Sequence, residues 1–167
     1  MNMFRRRVLL AAPFFGLATR AMALAAPTGP VVLTISGAVS RANRDGRADF
    51  DMAMLERLPQ RSIATETPWY SGVRTFGGPL LRDVMAAAGA KGASARLVAL
   101  NDYRVDMPID DPERFDVILA WQLDGKPMSV REKGPLFVMY PFDTQAQLRN
   151  AVYFSRCIWQ LRSIELA

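Results

Sequence analysis

The feature that most constrains this chain is the length and order of its apolar runs. Ala95-Arg96-Leu97-Val98-Ala99-Leu100, Val117-Ile118-Leu119-Ala120-Trp121 and Leu136-Phe137-Val138-Met139-Tyr140 are short and bounded by turn residues. They therefore read as strands. Val31 to Ser36 is β-branched and stops at Gly37, which adds a strand at the start, and Ser155 to Leu161 continues the strand pattern near the end. Asn43 to Gly46 is a polar turn, and Asp124-Gly125 signals a two-residue hairpin between Trp121-Gln122-Leu123 and Lys126-Pro127-Met128. Helical spacing occurs in two places. Phe50, Met54, Leu55 and Leu58 form a short stripe closed by Pro59, with Asp49 or Asp51 near its start; Leu80, Leu81, Val84, Met85 and Ala88 form a second, closed by Gly89. Asp110-Asp111-Pro112-Glu113 reads as a helix-capping turn with acids at the positive end of the dipole. Strands outnumber helices and do not alternate with them, so the expected fold is a single α+β domain with a mixed or antiparallel sheet.

Composition narrows the chemistry. The 167 residues include no histidine and one cysteine. Without imidazole there is no Ser-His-Asp or Cys-His catalysis and no His-ligated metal. One cysteine excludes an intrachain disulfide and a Cys-x-x-Cys redox pair. The nucleotide-binding glycine patterns and the Gly-x-Ser-x-Gly elbow are also missing.

The net charge of +5 is unevenly placed: four of the 21 basic residues (Arg5, Arg6, Arg7 and Arg20) fall in the first 25 residues, which hold no acid. The remainder carries 17 basic against 16 acidic residues, too balanced for a nucleic-acid footprint. Residues 1–25 have the layout of a signal peptide. A charged start precedes the apolar run Val8 to Thr19, and Ala21-Met22-Ala23 or Ala23-Leu24-Ala25 supplies small residues for cleavage. The run is well short of the roughly 20 residues that span a bilayer, so no stable membrane span is expected after its removal. The arginines before Val8-Leu9-Leu10 also fit a twin-arginine signal. The expectation is a periplasmic or otherwise exported domain of residues 26–167, entered through a Pro27-Thr28-Gly29-Pro30 hinge.

Two loops stand out. Thr65-Glu66-Thr67-Pro68-Trp69-Tyr70-Ser71-Gly72 joins a strand to Phe76-Gly77-Gly78-Pro79-Leu80, whose glycines allow close backbone approach just before a helix. That helix N-terminus could hold an anion, or the glycines could simply turn the chain.

With these loops in view the chain resembles the sulfite-oxidase-type molybdopterin-binding fold of small exported oxidoreductases. The landmarks are Ile35-Ser36-Gly37-Ala38-Val39, Phe50 to Pro59, Phe76 to Val84, Asn101-Asp102-Tyr103 leading to Met107-Pro108, Ile118 to Met128, Lys133-Gly134-Pro135-Leu136 with Pro141, and Trp159-Gln160-Leu161, in the family's order. The resemblance implies an α+β fold around a mixed sheet and, in active members, a molybdenum-pterin cofactor whose metal is held by one cysteine thiolate. Counted back from Gly77, that cysteine position falls near Thr65, within Thr65-Glu66-Thr67, and a hydroxyl is a poor substitute for a soft thiolate. Family members often carry a phosphate-holding histidine before the glycine of the Gly-Pro turn and an arginine shortly after; here they are Lys133 and Phe137. Cys157 lies far along the chain from the ligand position and is expected to be a buried, inert thiol on the same strand face as Tyr153 and Trp159.

The resemblance also places Trp69, Tyr70, Arg74 and Tyr103 beside the cofactor cleft, together with Tyr140, Phe142, Asp143, Arg149 and Arg156. Arginine beside aromatics suits a planar or anionic ligand, although the same residues would serve equally as core plugs and a solvated face. Two functions follow. In one the domain is a non-catalytic member that binds a small anionic or planar ligand, or a periplasmic partner protein. In the other it is an active oxidoreductase that holds molybdopterin through Lys133, Arg149, Arg156 and backbone N–H groups, without a protein thiolate. Thr65 favours the first.

Overall fold

Val31–Ser36 (β1) alternates buried Leu33 and Ile35 with half-exposed Val32 and Thr34, the period-2 pattern of a strand with one wet face. It is the first element of a computed structural model that describes residues 23–167, so all but the last few residues of the expected signal peptide lie outside the described part. Arg44 and Arg47 pair across the turn at Asp45-Gly46, where both φ angles are positive, and Ala48–Asp51 (β2) returns antiparallel to β1. Phe50 belongs to this strand rather than to the helix expected from its spacing; its ring is buried while Asp51 caps Met52–Glu56 (α1) by accepting the Met54 N–H at 2.8 Å.

The expected loop after α1 is a hairpin. Gln60–Thr67 (β3) and Tyr70–Pro79 (β4) pair antiparallel around a turn at Pro68-Trp69. Thr65 and Thr67 are therefore strand residues, and Gly77-Gly78-Pro79 ends a strand. Gly78 is required by close approach: a Cβ there would lie 2.1 Å from the Leu119 carbonyl oxygen. Leu81–Ala88 (α2) follows, burying Leu81, Val84, Met85 and Ala88 as its stripe implies, and stops at Gly89 in the left-handed region, φ 62°.

The remaining elements are Ser94–Ala99 (β5), Arg104–Pro108 (β6), Asp111–Phe115 (α3), Ile118–Ala120 (β7), Gln122–Leu123 (β8), Lys126–Pro127 (β9), Phe137–Met139 (β10), Ala151–Arg156 (α4) and Leu161–Leu166 (β11). Strand order β2-β1-β11-β5-β6 makes a five-stranded sheet, parallel only between β1 and β11. Order β3-β4-β8-β9 makes a second, antiparallel sheet, with the expected hairpin at Asp124-Gly125. The pair β7-β10 links the two: Leu80 bridges to Ile118, and Phe137 bridges to Trp159 just before β11. One core holds the buried faces of all three layers. The mixed sheet and few short helices are those of the α+β expectation.

Three further local expectations fail. Ser155 to Leu161 is not a strand: Asn150 accepts the Val152 N–H at 2.9 Å and starts α4, and the strand begins only at Leu161. Cys157 consequently follows α4 and faces inward instead of alternating along a strand. The Pro27-Thr28-Gly29-Pro30 segment is pinned rather than hinged, because the N–H groups of Thr28 and Gly29 both donate to Asp51.

Candidate functional site

The hairpin turn of β3 and β4 puts Trp69 at its tip, where Pro68 fixes the approach. The indole packs on Phe137 at 5.5 Å, on Trp159 at 5.9 Å and nearly perpendicular to Phe154 at 6.2 Å. Phe154 and Ala151 are three apart on α4 and so share a face. With the β5–β6 turn, which carries Asn101 and Tyr103, these residues enclose a cavity of about 510 Å³. Ala99, Ser155, Cys157, Ile158 and Trp159 complete its wall. None of its lining side chains is charged. The Asn101 carboxamide oxygen accepts the Tyr103 N–H at 3.2 Å, and Tyr103 is half exposed at the rim. Asn101 is exposed beside it.

Behind Trp159 lies a second cluster. Lys133, in the left-handed region at φ 72°, holds its ammonium 5.4 Å from the Trp159 ring and 5.5 Å from the Tyr70 ring. The Tyr70 hydroxyl donates to the Glu132 carbonyl at 3.2 Å, and burial raises its pKa above the usual phenolic value. The Arg74 guanidinium lies over Tyr70, 5.7 Å from its ring centre, and pairs with Asp124 at 2.6 Å. Its Nε is buried without a partner, as is the Thr67 hydroxyl.

Thr65 is fully buried. Its hydroxyl accepts the Asp143 N–H at 3.2 Å and donates to the Glu66 carbonyl at 3.3 Å. Arg149 is bonded to Asp143, donates to the Phe142 carbonyl at 3.4 Å and pairs with Glu66 at 3.8 Å. Arg156 is engaged elsewhere, donating to buried Asp111 at 2.7 Å and lying over the Tyr153 ring. The Tyr140 hydroxyl donates to the same Asp111 oxygen at 2.7 Å; burial, then this bond, push its pKa far above the ordinary phenolic range. Asp111 is thus more than the helix-capping acid its sequence context suggests: it is the buried hub of this network, and it lies in α3 behind Asp110 at the N-cap.

Of the residues singled out in the sequence, the structure gathers Trp69 and Tyr103 at the cavity, Tyr70, Arg74 and Lys133 behind it, and Thr65 with Arg149. Thr67 is in the same strand as Thr65, and Arg156 serves Asp111. Phe154, Ile158, Trp159 and Asn101 were not singled out as site residues. The available signal is the spacing of Ala151 and Phe154, three apart, just before the segment Ser155 to Leu161 that reads as a strand.

The donor set does not fit a thiolate-bound molybdenum. At the ligand position Thr65 offers a hard hydroxyl already committed on both sides. Cys157 is buried, and desolvation drives its thiol pKa up, away from thiolate. No three potential ligands among Asp, Glu and Cys converge among the described residues. Of the basic side chains expected at the cofactor, Arg149 and Arg156 are paired with carboxylates, and Lys133 lies over the Tyr70 and Trp159 rings.

No curated protein matches the chain. Among solved structures, the sulfane dehydrogenase SoxCD from Paracoccus pantotrophus shares its fold with a TM-score of 0.58 at 18% identity, over 80% of this chain and 37% of that one. The chain therefore spans little more than a third of that protein's length. A family model described as the oxidoreductase molybdopterin binding domain matches residues 33–146, well over half of the sequence, from within β1 to just past the Asp143 turn. By that match the chain belongs to the oxidoreductase molybdopterin-binding domain family.

Proposed function

We propose that the domain is an exported, non-catalytic member of its family that binds a small molecule in the aromatic cavity. The observation that carries this reading is Thr65: at the position where active relatives are expected to present a thiolate, the side chain is sealed in the core and its hydroxyl is spent on Asp143 and Glu66. The cavity supports binding, since its volume of about 510 Å³ falls within the range of small-molecule sites and its walls are mostly apolar. The n-region, apolar run and small-residue cleavage pattern of residues 1–25 support export. Among the described residues no helix is long and apolar enough to cross a membrane.

Molybdenum and pterin analysis of the full chain, produced in a host that makes and inserts molybdopterin, tests the non-catalytic part. The expected result is folded protein without molybdenum; stoichiometric molybdenum with a pterin would overturn it. Fractionation of the same cells tests export, with the expected product in the periplasm beginning after Ala23 or Ala25. A cytoplasmic chain that keeps Met1 to Ala25 would overturn that part.

A further inference from the structure

The walls of the cavity restrict its occupant further, and this step rests on the binding reading above. A charged ligand would need a counter-charge or several strong donors once water is displaced, because burying an unpaired charge in apolar surroundings costs many kcal/mol. The lining offers neither: it carries no charged side chain, and its polar groups are Asn101 and Tyr103 at the rim and Ser155, whose hydroxyl is already given to the Val152 carbonyl at 2.7 Å. The cationic side chains nearby are turned away, Lys133 onto the Tyr70 and Trp159 rings and Arg74 onto Tyr70 and Asp124. A quaternary ammonium, which aromatic walls often hold, is disfavoured for a related reason. The Trp159 π system already serves Lys133, and a second cation at the same indole would repel the first. What suits the site is a flat apolar body that faces Trp69 and meets along its edges Phe154 and Trp159, whose rings stand at 85° and 71° to that indole, with its polar group at the outer edge.

We infer that the cavity binds an uncharged, flat aromatic molecule of two or three rings. Its body contacts Trp69, Phe154 and Trp159, and its polar edge lies at the mouth beside Asn101 and Tyr103. Cys157 at the inner wall contributes shape, since its thiol is protonated and buried.

N-phenyl-1-naphthylamine and 8-anilino-1-naphthalenesulfonate share one aromatic skeleton and differ by a sulfonate, so they separate shape from charge. Titrated into the exported protein, the neutral probe should give a saturable one-site rise in fluorescence and quench tryptophan emission. The sulfonate should bind at least about tenfold more weakly, and choline should not displace the neutral probe. Ala151→Trp, an exposed position at the start of α4, should close the mouth and abolish binding, while Tyr103→Ala should weaken it several-fold. Val73→Ala, at an exposed site outside the cavity lining, should change nothing. Equal binding of the two probes, displacement by choline, or binding that survives Ala151→Trp in a folded variant overturns the inference. Molybdenum in the same preparation would overturn the non-catalytic reading and leave the probe result standing. A molybdenum-free protein that takes both probes equally would overturn the ligand class alone.

Discussion

Thr65 and Asp143, 78 positions apart, tie β3 to the turn after β10: the Asp143 N–H donates to the Thr65 hydroxyl at 3.2 Å, while the Asp143 carboxylate accepts the neighbouring Glu66 N–H at 3.1 Å. The position that resembles a metal-ligand site is here a structural joint between β3 and the segment after β10. Thr65→Cys should therefore fail to recruit molybdenum when expressed with the cofactor. Sulfur is a weaker acceptor for the Asp143 N–H, and the variant should lose about 1–2 kcal/mol of unfolding free energy. Thr65→Val, which keeps the shape and removes the oxygen, should cost about the same. Urea denaturation measures both costs, and metal analysis of the Cys variant checks the first. Molybdenum uptake by Thr65→Cys would mean that the pocket is otherwise intact.

How much of this was legible in the sequence depended on how local the signal was. The α2 stripe with Gly89, and the Asp124-Gly125 hairpin, are each determined by a few neighbouring residues, and both stand as read. The segment Ser155 to Leu161 reads as a strand because Cys157 and Trp159, with Tyr153 just before it, fall at alternating positions. Asn150 as a cap, together with the pairing of β11 with β1 and β5, decides for a helix followed by a strand. Thr65 was recognised as an absent thiolate, but its burial was invisible, since its partner Asp143 lies on a distant segment. Asp111 was missed as a hub for the same reason: Tyr140 and Arg156 are 29 and 45 positions away.

That hub makes a sharp stability test. Asp111 is only 2% exposed and holds both Arg156 and the Tyr140 hydroxyl on one carboxylate oxygen. Asp111→Ala strands a largely buried guanidinium and an unpaired hydroxyl, so it should cost roughly 3–5 kcal/mol. Tyr140→Phe leaves the ion pair intact and should cost about 1 kcal/mol. A double-mutant cycle between Asp111→Ala and Arg156→Met should give a coupling of at least about 1 kcal/mol. Additive losses would show that α4 is held by its apolar contacts alone.

The glycine pair at the end of β4 separates packing from anion binding. Gly78→Ala would drive a Cβ to 2.1 Å from the Leu119 carbonyl oxygen, a rigid backbone atom, whereas a Cβ at Gly77 meets first the Gln122 side-chain oxygen, at 2.9 Å, which can swing away. Gly78→Ala should therefore destabilise by roughly 3 kcal/mol or fail to fold, while Gly77→Ala should cost less than about 1 kcal/mol. Thermal melts with and without inorganic phosphate complete the test. Phosphate should leave the wild-type midpoint unchanged, because the first helical N–H, that of Leu81, is already taken by the Val117 carbonyl at 2.8 Å.

Cys157 is buried and its thiol pKa is raised by desolvation, so the folded chain should resist iodoacetamide and remain free of disulfide-linked dimers. Mass spectrometry should find the thiol unmodified under native conditions and alkylated after unfolding. Rapid native labelling would mean that the cavity wall opens at Cys157.

Asp51 ties the start of the domain to the five-stranded sheet, and the tie is charge-dependent. Its two carboxylate oxygens accept N–H groups from Thr28 at 2.7 Å, Gly29 at 2.8 Å and Met54 at 2.8 Å. The Gly29 bond, then that of Met54, outweigh burial and hold its pKa below the ordinary value of 3.8. A carboxyl whose pKa is lower in the folded state contributes fully above its unfolded value and loses that contribution as pH falls through the lowered one. The stability supplied by Asp51 should therefore be intact at about neutral pH and fade as acid is added below roughly pH 4. Asp106 and Glu132, lowered chiefly by their bonds to Arg96 and Ser129, act in the same direction. In Asp51→Asn one of the two oxygens becomes an N–H2 group facing N–H donors, so the variant should be less stable at about neutral pH. Its deficit relative to the wild type should shrink towards about pH 3, where the wild-type carboxylate is itself being protonated. Urea midpoints at several pH values measure that narrowing gap. A deficit independent of pH would show that Asp51 acts in the fold through its shape and not through its charge.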